Sequence, residues 1–270
     1  MTHKNFQKTV WDFYKENKRD LPWRPKKGRK VTSYEILVSE YMLQQTQVDR
    51  VVPKFIEFTK HFPNFQTLAK AKDKDVLRFW SGLGYNRRAL YLKSTVKNIH
   101  EKYADIVPRE KETLKTFPGV GDYMAAVLPV FLYNQKEVLI ETNVRTVYLY
   151  HFFKDAVGVS DKDIGLMIQK TLPEKDFREW YYALMDYGSY LKKEKKVNNK
   201  NHQAYTKQKP FKGSLRYVRG RLVKILLTQK IWREEVYALF PNYTKEQIDK
   251  VVVQLLSEKF IKENKKYFYL

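Results

Sequence analysis

Residues 114–147 read LKTFPGVGDYMAAVLPVFLYNQKEVLIETNVRTV, and the reading of this stretch decides the reading of the chain. Phe117-Pro118-Gly119-Val120-Gly121 separates two short amphipathic segments. Pro118 fixes φ on the way into a tight turn, and the two glycines admit positive φ and leave room for a close neighbour. A second helix is expected to start at Gly121-Asp122, so its unsatisfied N–H groups flank the turn and suit a phosphate. The tetrapeptide P-G-V-G alone is equally compatible with an ordinary connection between helices. Farther on, Ile140-Glu141-Thr142-Asn143-Val144 places an acid at the start of the next helix, where a carboxylate commonly does no more than match the helix dipole.

The composition favours the more specific reading. The chain has 270 residues, enough to bury a full core in one large or two smaller domains, and a formal charge of +22. The excess concentrates in the last 80 residues, where 20 Lys and Arg face 7 Asp and Glu. Solubility alone normally mixes the two signs, so the concentration of one sign points to an acidic polymer, nucleic acid. Cysteine is absent, which excludes disulfides, thiolate zinc sites and Cys-ligated iron–sulfur clusters. The five histidines are scattered without ligand spacing. The opening residues lack a signal-peptide core, and the longest apolar run, Ala125–Tyr133, is too short to span a bilayer. A soluble cytoplasmic protein, with no membrane partner and acting as a monomer, is therefore expected.

Nearly every periodic segment reads as helix: Phe6–Glu16, Tyr34–Gln45 with Ser33 as its cap, Val48–His61, Asp73–Trp80, Asn86–Tyr103, Val144–Phe153, Asp161–Thr171 and Asp176–Leu191. Pro129 should kink its helix or mark a boundary. Residues 192–213 lack apolar periodicity and are rich in Lys, Asn and Gln, which suggests a linker or DNA-facing loop. Beyond it, Leu215–Leu227, Arg233–Phe240 and Lys245–Glu258 read as helices, the third with a Thr244/Gln247 capping box. Phe260–Lys262 and Tyr267–Leu270 read as a hairpin around the basic turn Glu263-Asn264-Lys265-Lys266. Three helices and a hairpin make a winged-helix layout for residues 214–270.

Glu40 is the most informative acid. On the helix Tyr34–Gln45 its neighbours one turn away are Ile36, Leu37, Leu43 and Gln44, so it lies on or beside the buried face. Desolvation there raises a carboxyl pKa and suits it to proton donation near pH 7. Gln44, Gln45 and Gln47 follow at the helix end, an arrangement able to probe or fill a base stack.

Leu21-Pro22-Trp23-Arg24, Ser39–Val48 (SEYMLQQTQV), Trp80–Tyr85 (WSGLGY), Phe117–Gly121 and Asn143-Val144 occur in the order found in MutY-type adenine DNA glycosylases. Over about residues 5–190 the chain resembles this group of the helix-hairpin-helix superfamily, to which endonuclease III also belongs. The resemblance implies an all-α fold of two helical lobes in residues 1–191, with a DNA-reading cleft between them and the small α+β winged helix appended. It implies duplex DNA carrying a mispair or damaged base as the partner. Glu40 matches the general acid that protonates the departing purine, and Gln45 or Gln47 the wedge that fills the gap left by a flipped nucleotide. Tyr123 stands where bifunctional relatives keep a Schiff-base lysine, so hydrolysis without strand cleavage is expected. Glu141, with Asn143 beside it, stands where the family has an aspartate that stabilises the oxocarbenium-like sugar. Arg24, Gln44, Tyr85, Arg87, Arg88 and the hairpin Pro118-Gly119-Val120-Gly121 are expected to meet DNA. The main-chain carbonyls of Lys115, Phe117 and Val120 would hold a Na⁺ or K⁺ ion, with no other cofactor.

Three departures accompany the resemblance. Glu141 is one methylene longer than the family's aspartate. Tyr182 falls where adenine-removing relatives often have Gln or Glu reading the base edge. The basic segment after Leu191 stands in place of the four-cysteine iron–sulfur loop, and the winged helix in place of the family's Nudix-like domain. The expected function is a monofunctional DNA glycosylase of base excision repair, acting on adenine opposite guanine or 8-oxoguanine. A thymine or uracil mismatch glycosylase, or a catalytically weakened DNA-binding protein, are the alternatives.

Overall fold

A computed structural model describes residues 1–205, 210–211 and 213–270. The chain opens with α1 (His3–Asn17), α2 (Ser33–Leu43), α3 (Val48–His61), α4 (Phe65–Lys70), α5 (Asp73–Trp80) and α6 (Arg87–Tyr103). The central stretch forms α7 (Lys111–Lys115), α8 (Asp122–Tyr133) and α9 (Thr142–Phe152), followed by α10 (Asp161–Thr171) and α11 (Phe177–Glu194). The C-terminal part holds α12 (Leu215–Leu226), β1 (Ile231–Trp232), α13 (Lys245–Ser257), β2 (Lys262–Glu263) and β3 (Tyr267–Tyr269).

Packing groups the chain into two units, residues 1–40 with 101–206, and residues 41–100 with 207–270. In the first, α11 is the spine and α1, α8 and α9 pack on it. Apolar residues recur along α11 at helical spacing, Trp180, Tyr181, Ala183, Leu184 and Leu191 among them, and all are buried. Phe6, Tyr148, Phe152 and Trp180 form an aromatic cluster with edge-on contacts near 5–6 Å. In the second unit α3 packs on α5 and α12 on α13, and the strands form an antiparallel sheet in the order β1-β3-β2. The division at 191 and 213 read along the chain thus differs from the grouping made by packing. Glu258, at the end of α13, pairs with Arg219 of α12 and with Arg87 at the start of α6, so residues 207–270 associate with residues 41–100.

Several local expectations are corrected. Thr32, not Ser33, caps α2: its hydroxyl accepts from the Glu35 N–H at 3.1 Å, and Glu35 reaches back to the Thr32 N–H at 2.8 Å. Helix α8 continues through Pro129. Arg233–Phe240 is a series of turns rather than a helix. It is confined between β1 and Pro241, and a following proline disfavours the helical conformation at Phe240. The expected capping box of α13 is present.

The stretch read as a linker also differs. Residues 192–194 complete α11, and residues 197–205 pack onto α9 and α10. Thr146 Oγ1 donates to Asn199 Oδ1 at 2.8 Å, and Asn199 Nδ2 donates to the Thr142 carbonyl at 3.2 Å. His202 lies 3.0 Å from Asp161 and forms a parallel bridge with Val159. A side-chain amide and an imidazole buried this way need partners, and α9 and α10 provide them. The rest of the expected linker, residues 206–209 and 212, lies outside the described residues.

Candidate active site

The first unit brings Glu40, Tyr123, Glu141 and Tyr182 into mutual electrostatic reach. Glu40 projects from the last turn and a half of α2 and is 5% exposed. Among the described residues none donates a hydrogen bond to its carboxyl. Burial, and then the charge of Glu141, pushes it up to about 8, against an opposing pull from Arg24. The carboxyl is therefore protonated at neutral pH, the state a proton donor needs.

Glu141 occupies a different environment. It is the N-cap of α9, and one carboxylate oxygen accepts from the N–H groups of Asn143 at 2.7 Å and Val144 at 2.8 Å. The other accepts from Asn143 Nδ2 at 3.2 Å. Shorter residues usually take this position; here the extra methylene lets the side chain fold back over the first turn. Burial raises its pKa, while the two capping N–H groups, Lys192 and Arg145 favour the anion. Two carboxyls are thus held apart in role, one desolvated without hydrogen bonds and one fixed by three of them.

Tyr123, in the first turn of α8, is half-buried, and burial together with the two carboxylates holds its phenol well above its ordinary pKa. It is a neutral hydroxyl with no amine chemistry to offer. Tyr182 is buried, its ring 4.7 Å from Phe131 and covered by the Arg24 guanidinium at 4.4 Å.

Arg24 and Arg88 correct the sequence reading, because both belong to the interior. Arg24 is 3% exposed and grips Asp186 with two nitrogens, at 2.7 and 2.9 Å. Arg19 binds the same carboxylate through Nε at 2.6 Å and its own N–H at 3.0 Å. A guanidinium that cannot leave its charge in water must be paired, and Asp186 provides that pairing. Arg88 lies in the second unit, donating to the carbonyls of Tyr41 at 2.9 Å, Met42 at 3.0 Å and Gly84 at 3.1 Å, and to Thr46 Oγ1 at 2.9 Å. It ties the loop of residues 44–47 to that of residues 83–85. Gln45 and Tyr85, both at positive φ, are exposed on those loops, as is Gln47. Arg87 pairs with Glu258 while part of its side chain stays exposed.

At the hairpin, Leu114, Phe117 and Val120 bury their side chains, and the Val120 N–H donates to the Phe117 carbonyl at 3.1 Å. Only one of the two glycines uses positive φ: Gly119 is at +77°, whereas Gly121 caps α8 at −93°. Pro118 leads into the turn, and Lys115 pairs across it with Asp122 at 2.8 Å.

Three residues of α11 were missed in the sequence. Asp186 is the buried counter-charge. Gly188 lies against α9: a Cβ built there would stand 2.7 Å from the Asn143 carbonyl carbon and closer to its oxygen. Lys192, one turn farther, brings its ammonium near Glu141. The signal was the i, i+4 spacing of Gly188 and Lys192 on a helix whose apolar face was already evident.

A family model described as "HhH-GPD superfamily base excision DNA repair protein" matches residues 38–175, half of the chain. The chain belongs to the HhH-GPD superfamily. The match contains Glu40, Tyr123 and Glu141 and ends before α11. Among curated HhH-GPD relatives, the adenine DNA glycosylase of Mycolicibacterium smegmatis is 38% identical over 179 residues, covering 66% of this chain and 60% of the relative. That of Buchnera aphidicola subsp. Schizaphis graminum is 30% identical over 242 residues, covering 86% and 67%. The chain thus spans about three fifths of the length of the first of these relatives. Among solved structures, a thermostable thymine-DNA glycosylase superposes with a TM-score of 0.60 at 22% identity, over 72% of this chain and 89% of the other. That likeness concerns the fold.

Proposed function

We propose that this protein is a DNA N-glycosylase of base excision repair that removes a mispaired base by hydrolysis, adenine opposite guanine or 8-oxoguanine. The observation that carries the reading is the pair of carboxyls in unlike environments, a buried protonated Glu40 without hydrogen bonds and a Glu141 fixed by the capping N–H groups of α9. Similarity to relatives named adenine DNA glycosylase supports the choice of base.

In this reading Glu40 gives its proton to a ring nitrogen of the extruded base. The C1′–N bond breaks with its electron pair leaving on the base, and positive charge develops on the sugar. Glu141 stabilises that charge, and a water adds to C1′ and loses its proton, regenerating the acid. Tyr123 offers no amine to attack C1′, so the product is an intact abasic strand. Gln45, Gln47 and Tyr85 fill the gap in the duplex, and the α8 N-terminus receives a phosphate. The carbonyls of Lys115, Phe117 and Val120, neutral hard donors, would hold a monovalent cation that adds positive charge beside that phosphate.

The test is a panel of duplexes carrying each mispair, including thymine and uracil, assayed with and without alkali. Adenine release with strand breaks only after alkali is expected. Release of thymine or uracil instead would change the substrate, and no release from any duplex would leave a binding protein. A borohydride-trapped covalent adduct would overturn the monofunctional assignment and direct attention to Lys192.

A further inference from the structure

The C-terminal sheet has two unlike faces. Ile231 and Phe268, paired in register across β1 and β3, are buried. The opposite face carries Trp232 paired with Tyr267, and Tyr269 paired with Lys262. Trp232 is 51% exposed. Its ring meets Tyr267 at 5.5 Å and 88°, and Tyr267 meets Tyr269 at 6.4 Å. Lys230 places its ammonium 4.7 Å from the Tyr267 ring centre. Lys265 and Lys266 are exposed on the adjoining turn, which Asn264 orders by accepting from the Lys266 and Tyr267 N–H groups at 2.9 Å each. All of this lies outside residues 38–175.

An exposed indole beside a row of tyrosines leaves a large apolar area in water, which a small sheet has no folding reason to do. The cations around it choose the occupant. Their charge complements phosphate, while the indole face complements a planar base, and together they make the combination used to hold nucleic acid strands without sequence preference. Duplex DNA keeps its base faces inside the stack and would leave the ring unused. We propose that the Trp232–Tyr267–Tyr269 face is a binding site for single-stranded DNA, with a base stacked on Trp232 and phosphates held by Lys230 and Lys262. The site is independent of base excision.

The indole also reports on the site, since Trp23, Trp80 and Trp180 are buried and Trp11 is half-buried. The experiment titrates the full chain with undamaged oligo(dT) and follows tryptophan emission and its accessibility to acrylamide. Binding should quench the emission and protect it. Trp232→Ala should weaken the affinity roughly 10-fold or more, the scale of one base–aromatic stack, and Trp232→Phe should retain most of it. Lys230→Gln with Lys262→Gln should leave the quenching and flatten the log–log salt dependence by about 0.7 per lost phosphate contact. Unchanged emission in the wild-type protein saturated with oligo(dT) would overturn the proposal, without needing any variant to fold. So would wild-type affinity in a folded Trp232→Ala protein, or self-association abolished by that substitution, which would give the face to a second copy. Because no base is excised in this assay, its failure leaves the glycosylase reading standing, and the reverse holds.

Discussion

At the residue scale the two carboxyls make separable predictions. Glu40 is held up to about 8 against an ordinary 4.5. Between these values the folded protein keeps a proton that the unfolded chain releases, so this residue's contribution to stability falls as pH rises through the window. Glu40→Gln should abolish excision while leaving mismatch binding in place. Its unfolding midpoint should gain on wild type as pH rises from about 5 to 8. A difference that does not grow with pH would remove Glu40 from the buried, protonated role. In wild type, the alkaline limb of single-turnover excision should set in as pH rises through about 8. Glu141 faces Glu40 from α2, Tyr123 from α8, Arg145 from its own helix and Lys192 from α11. Lys192→Met withdraws a favourable charge, so the acid limb of the excision profile should move to higher pH, and Lys192→Arg should keep it in place. Identical profiles for both variants would show that Lys192 does not act on Glu141. Glu141→Asp should preserve the α9 cap and the fold, since aspartate caps well, yet lower the excision rate by drawing charge back from the sugar. A faster enzyme would mean that the longer side chain is a defect.

At the scale of elements, two glycines have opposite roles. Gly188 sits where α11 crosses the first turn of α9, with no space for a methyl group against the Asn143 backbone. Gly188→Ala must push the helices apart, at a cost of about 1–3 kcal/mol or more, and move Glu141 with them. Urea unfolding should register the loss of stability, and single-turnover excision should fall more than 10-fold, on the scale expected for a misplaced catalytic group. Gly121 has open space around it and an ordinary φ of −93°. Gly121→Ala should therefore cost only what a poorer N-cap costs, about 0.5–1 kcal/mol, and leave the helix positions unchanged. Equal effects at the two positions would mean that the α9–α11 contact is not what holds Glu141. The tie made by Arg88 works in the same way, turning two separate loops into one support for Gln45 and Tyr85.

For the whole molecule, charge and packing point to the C-terminal residues. Residues 207–270 pair with α6 through Arg87 and Glu258 and reach Tyr85 through Arg216 at 3.3 Å. Their removal should weaken duplex binding and flatten its salt dependence by about 0.9 per lost phosphate contact. The cut belongs at 207 rather than 193, because Asn199 and His202 brace α9 and α10. Helicity of the shortened protein must first match that of the remaining helices. An unchanged slope in a folded protein would assign these residues another task.

Helix positions, the hairpin and the exposed glutamine loop were legible in the sequence because each depends on local pattern: apolar spacing, caps, and Pro-Gly turns. Glu40 was legible for the same reason, since one helix determines which face it takes. Arg24, Arg88 and Asn199 were not. A basic or polar side chain reads as solvent-facing until a remote partner is brought to it, and Asp186, the α2 carbonyls and the α9 backbone lie far away in the chain. Tertiary structure alone decided that Gly188 and Lys192 stand beside Glu141, and that the C-terminal sheet turns its tryptophan outward. Each of these depends on which surfaces meet, and a one-dimensional pattern records the faces of a helix or strand without recording what they are packed against.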